Sequence, residues 1–144
     1  MKLNEKERFY FYGKTRIYSA RQTNENYEIE FNHHYEIPDT GARPEELTIN
    51  FKSNNRNFKK IKVRRTSLIK RLINGQKIDN QSGFRLPSNV NETLLILLDK
   101  YSFEKMSSDE NKIELKFNGL PRNESELTTL KDIIVNLSKE IMIN

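Results

Sequence analysis

The strongest regularity in the chain is a two-residue alternation of apolar and polar positions. Tyr27, Ile29 and Phe31 fall on one side of an extended segment, with Glu28, Glu30 and Asn32 on the other. That is how a strand with one buried and one wet face reads. It runs on through Tyr35 and Ile37 to Pro38, after which residues 38–45, with Gly41 and Pro44, read as an exposed loop. Leu47, Ile49 and Phe51 repeat the alternation against Thr48, Asn50 and Lys52. Ser53-Asn54-Asn55-Arg56-Asn57 then reads as a hairpin loop, and the returning strand turns Ile61 and Val63 inward and Lys60, Lys62 and Arg64 outward. Phe58 is out of phase with Ile61 and belongs to the turn or beside a bulge. A short strand over 15–22 and a last one carrying Ile113, Leu115 and Phe117 bring the set to about five. Phe9 to Tyr12 form an aromatic cluster that enters as a strand or a short helix.

Elsewhere the period lengthens. Thr66 ahead of Leu68, Ile69, Leu72 and Ile73, with Gly75 after them, predicts a short capped helix whose apolar side packs on the sheet, although the same side, flanked by bases, also suits a membrane surface. Asn80 to Gly83 is a turn, and Phe84 to Leu86 an extended piece before Pro87. Asn89 and Glu92 have the spacing of a capping box before Leu94 to Leu98, Tyr101 and Phe103, a helix apolar almost all round and therefore central. Ser107 to Asn111 reads as a polar loop. Asn123 and Glu126 repeat the capping spacing, and Leu127, Leu130, Ile134, Leu137 and Ile141 follow at steps of three and four. The expected class is α+β: a mostly antiparallel sheet of about five strands, with two longer helices and one short helix packed against it. At 144 residues, without internal repeat or linker, residues 1–144 read as a single domain. Residues 1–12 are either a packed N-terminal arm or a junction to a membrane segment.

Charge adds a second layer. Between Leu47 and Ile78 stand ten Lys and Arg and no acid, which leaves 15 basic residues against 20 acidic ones elsewhere. The overall +5 hides a polarised molecule. Lys52, Lys60, Lys62 and Arg64 share the outward face of the expected hairpin, with Lys70 and Arg71 close behind, and these six are the candidate anion-binding residues. A solvated sheet face whose lysines deter edge pairing is the competing reading. The anion is either an anionic lipid surface or nucleic acid. Too many residues separate the first two helices for a helix-turn-helix, and no aromatic RNA-binding signature lies on the basic strand, so the lipid surface leads. A protein-interaction module using Glu28 and Glu30 is the third reading, and the oligomeric state is open.

Catalytic chemistry finds little footing. Without cysteine there is no thiolate nucleophile or thiolate metal site. His33 and His34 are neighbours in a strand and point to opposite faces. His34 shares a face with Glu28 and Glu30, but ligands strung along one strand span too far for one ion. The five glycines are scattered, with no phosphate-cradling loop. We therefore assign no catalytic, cofactor-binding or metal residue and expect a non-enzyme without cofactors. The longest apolar run, Leu94 to Leu98, is far short of the ~20 residues of a membrane span. Residues 1–12 carry no signal-peptide core. The expected location is the cytoplasm, or the inner face of its membrane.

The succession of a basic strand, Leu68 to Ile78, Ser82-Gly83-Phe84-Arg85-Leu86 and a leucine-rich helix resembles the soluble domain of a bacterial family that carries it beside transmembrane helices. The Ile113 to Phe117 strand and the Glu124 to Ile141 helix extend the likeness, over residues 46 to 142. The resemblance implies a bacterial, membrane-associated module of unknown function facing the cytoplasm, with no catalytic residues to carry over. This chain differs in having no transmembrane helix of its own.

Overall fold

The alternating segments become strands of one antiparallel sheet, and the two long amphipathic segments become helices laid on one of its faces. The computed structural model describes residues 3–10, 13–38, 46–119, 121 and 124–143, with the backbone alone for 3–10, 13–19, 34–38 and 124. The strands are β1 Leu3–Tyr10, β2 Gly13–Thr23, β3 Tyr27–Pro38, β4 Glu46–Ser53, β5 Ile61–Arg65, β6 Ile78–Asn80, β7 Phe103–Asp109 and β8 Lys112–Phe117. The helices are α1 Leu68–Asn74, α2 Ser88–Tyr101 and α3 Glu124–Glu140. The sheet order is β1-β2-β3-β4-β8-β7-β5-β6, and every neighbouring pair is antiparallel. The α+β class stands, with eight strands among the described residues instead of about five.

One face of the sheet and the two long helices make the core. Ile29, Phe31, Leu47, Ile49, Phe51, Ile61, Val63, Met106, Ile113, Leu115 and Phe117 are buried against Val90, Leu94 and Leu97 of α2 and Leu127, Leu130, Ile134 and Leu137 of α3. Phe103 and Phe117 oppose each other in register and meet edge to face, ring centroids 5.9 Å apart. Among the described side chains the opposite sheet face is polar and open to water.

Three expectations need correction. Helix α2 is not a central, buried helix, since Ile96 is 44 % exposed and Leu95 and Leu98 only half-buried. Phe103 to Asp109 is strand β7, not a helix end followed by a polar loop. Both helix starts shift, because Ser67 rather than Thr66 caps α1, and α2 begins at Ser88 with Pro87 at its N-cap and Asn89 inside it. The last part of the Phe9–Tyr12 cluster, the 39–45 loop and Asn123 lie outside the described residues.

The largest correction concerns the expected β4–β5 hairpin. After Ser53 the chain does not turn back, because β8 and β7 occupy the two sheet positions between β4 and β5. Residues 53–60 instead run across the end of the sheet, over the β7–β8 turn. Ser53 N–H donates to the Asn111 carbonyl at 2.8 Å, and Phe58 N–H to that of Glu110 at 2.6 Å. Phe58 is buried on Phe51 and bridges to Met142, which explains its phase: it belongs to a crossing connection, not a turn. The true basic hairpin is β5–β6, in which Arg65 pairs with Ile78.

Candidate anion-binding surface

The connection between β5 and β6, residues 66–77, is tied shut at its base. The Thr66 hydroxyl donates to the Gln76 carbonyl at 2.5 Å, and Thr66 N–H to the Lys77 carbonyl at 3.1 Å. Within it, Ser67 Oγ accepts from Lys70 N–H at 3.3 Å. Gly75, at φ 68°, ends the helix with its N–H on the Arg71 carbonyl. A left-handed residue is needed at that C-terminal stop, and glycine adopts it without strain. α1 is thus held by its caps and closure. It buries no residue.

Its orientation is the reverse of the expected one. Leu68, Ile69, Leu72 and Ile73 are 68, 69, 78 and 78 % exposed, while Arg71 on the opposite side is only partly exposed. The Arg71 Nε and Nη2 atoms are buried without a hydrogen-bond partner. The apolar face that should pack on the sheet faces outward, and the side turned inward carries a cation.

Beside α1 lies a groove lined by Arg64, Arg65, Lys70 and Lys105 against Asp79 and Glu104, with Leu68 on its wall. Arg64 Nε meets Asp79 Oδ2 at 3.2 Å and Arg65 Nη1 meets Glu104 Oε1 at 3.5 Å. The first pair is exposed and the second part-buried but still reached by water, and each holds little energy. The register sets Arg64 opposite Lys105 and Lys105 opposite Lys116, so three bases cross three neighbouring strands on the open face. Toward the start of β5, Lys59, Lys60 and Lys62 line a second depression with Phe84, which is 41 % exposed.

Of the six residues singled out in the sequence, Lys60, Lys62, Arg64 and Lys70 gather along β5 and its tip. Lys52 does not join them. It lies three strand spacings from β5, roughly 14 Å, in a row that runs Glu28, Lys52, Lys112, Asp109. Acids flank that row at both ends. Arg71 is turned inward. Lys105 and Lys116, missed because they lie forty residues or more along the chain, complete the surface through strand pairing alone.

The other candidates give no site. His33 is buried on the inner face at 3 % exposure, and the side chain of His34 is not described. Glu28 is ion-paired with Arg21, and Glu30 accepts from Asn32 Nδ2 at 2.6 Å. Among the described residues no group of three or more His, Asp or Glu could hold a metal ion, and no helix is long and apolar enough to cross a membrane. Burial pushes the Glu140 carboxyl above its usual range, partly opposed by the Thr93 hydroxyl. Burial and Glu126 raise the Tyr101 phenol. Compared with protein families, with curated proteins and with solved structures, the chain matches none.

Proposed function

We propose that this is a non-catalytic binding domain that docks on an anionic phospholipid surface through the outward side of β5 and the β5–β6 hairpin. One observation carries the reading: an exposed aliphatic helix face stands directly beside a groove with four bases and two acids. The hairpin from Ile61 to Asn80 holds six bases and a single acid, Asp79. Such a surface suits a partner that is anionic at its skin and apolar beneath, as the cytoplasmic leaflet is. Nucleic acid meets only half of this description, because its phosphates gain nothing from aliphatic side chains and its bases stack on aromatic or guanidinium planes.

The test is co-sedimentation with vesicles of phosphatidylcholine alone or mixed with phosphatidylserine, at low and raised salt. The protein should pellet with the serine-lipid vesicles and stay in solution with the neutral ones, and salt should weaken the capture. Equal capture by both, or by neither, removes the reading.

A further inference from the structure

We infer that α1 enters the bilayer interface, with Leu68, Ile69, Leu72 and Ile73 among the acyl chains instead of resting on headgroups. This rests on the anionic-membrane reading and adds the depth and the residues of contact.

The geometry fits in three ways. Positions i, i+1, i+4 and i+5 of a helix fall within one arc of roughly 140°, so the four side chains form a continuous face, and all four are more than two-thirds exposed. The helix stands at the tip of a hairpin closed by Thr66, away from the core, so the sheet need not open for it to be used. Its seven residues make a rod about 10 Å long, which suits lying flat and shallow in the interface and cannot span it.

Charge selects the occupant. A second copy of this chain would bring two hairpins, each with six bases and one acid, against one another. Like charges at close range oppose that contact. An anionic bilayer meets the bases with opposite charge and the four aliphatic side chains with hydrocarbon.

The chain has no cysteine, so a single one can report on the site. An environment-sensitive fluorophore on Ile69→Cys should shift to the blue on vesicles containing phosphatidylserine and stay unchanged with phosphatidylcholine alone. The same label on Asn136→Cys, exposed on α3, should not respond. Leu68→Ser/Leu72→Ser should lose affinity for the anionic vesicles by roughly tenfold or more and keep its binding to heparin, a polyanion with no apolar phase. If the Ile69 label stays water-like on vesicles that still capture the protein, or the serine variant binds as before, the insertion is wrong while the anionic-membrane reading stands. No capture of the unlabelled chain removes both. A blue shift without vesicles, together with a doubled mass in sedimentation velocity, makes a second copy the occupant and overturns the inference.

Discussion

Changing Arg64 and Lys105 together to glutamate is expected to lower the affinity for anionic vesicles, the proposed partner, by about a thousandfold. Each base near such a surface contributes about 1 kcal/mol, so reversing one costs about 2 and reversing two about 4 kcal/mol, or roughly three powers of ten. The two residues oppose each other in register on the open face, and neither contributes to the core. The fold should tolerate the change, since the Arg64–Asp79 pair given up is exposed. The informative comparison is Lys52→Glu/Lys112→Glu, which changes the net charge equally. Those lysines stand in the row flanked by Glu28 and Asp109 and lie on β4 and β8. β4 is roughly 14 Å from β5, farther than the ~8 Å over which charge acts at physiological salt. Their reversal should cost less than about tenfold. Equal losses from the two pairs, measured by vesicle titration, would mean that affinity follows net charge and not a site.

Phe117→Ala is expected to be the most damaging single substitution to stability, at about 3–5 kcal/mol. Phe117 is 1 % exposed on β8, opposite Leu47 of β4 on one side and Phe103 of β7 on the other, so it joins the two halves of the sheet. Against a total of roughly 5–15 kcal/mol, the loss brings a domain of this size near its limit. Leu72→Ser is the instructive contrast. Both positions are large and apolar within a periodic pattern, yet Leu72 is 78 % exposed and its replacement should change stability by about 0.5 kcal/mol or less. Urea unfolding of the two variants reads both effects. A loss above about 2 kcal/mol for Leu72→Ser would mean that α1 is packed after all.

The contrast between those two residues marks what the sequence could disclose. Strands β3, β4, β5 and β8 were legible because Ile29/Phe31, Leu47/Ile49/Phe51, Ile61/Val63 and Ile113/Leu115/Phe117 hold a strict period of two. β7 was not, because an irregularity between Phe103 and Lys105 separates its inward residues Phe103, Met106 and Ser108 by three and then two. That breaks the alternation and mimics a helix end. Sheet order was hidden for another reason: hairpin rules assume that sequential strands pair, and here a later pair, β7–β8, inserts between β4 and β5. The candidate surface was half legible. Lys60, Lys62 and Arg64 follow from alternation on one strand, whereas Lys105 and Lys116 reach Arg64 only through that inserted pair. Helical periodicity found the apolar face of α1 correctly but says nothing about whether a face looks toward the core or away from it. In the folded chain the closure at Thr66, between residues ten and eleven apart, carries α1 at the hairpin tip with that face outward.

The claim that one end of the open face meets the membrane is tested most directly by amide hydrogen exchange of the unmodified chain, with and without phosphatidylserine-containing vesicles. Slowed exchange is predicted along the β5–β6 hairpin and α1, with β3 around Glu28 and Glu30 and the helix α3 unchanged. Vesicle-dependent protection on β3 or α3, with α1 exchanging as it does in water, would contradict it.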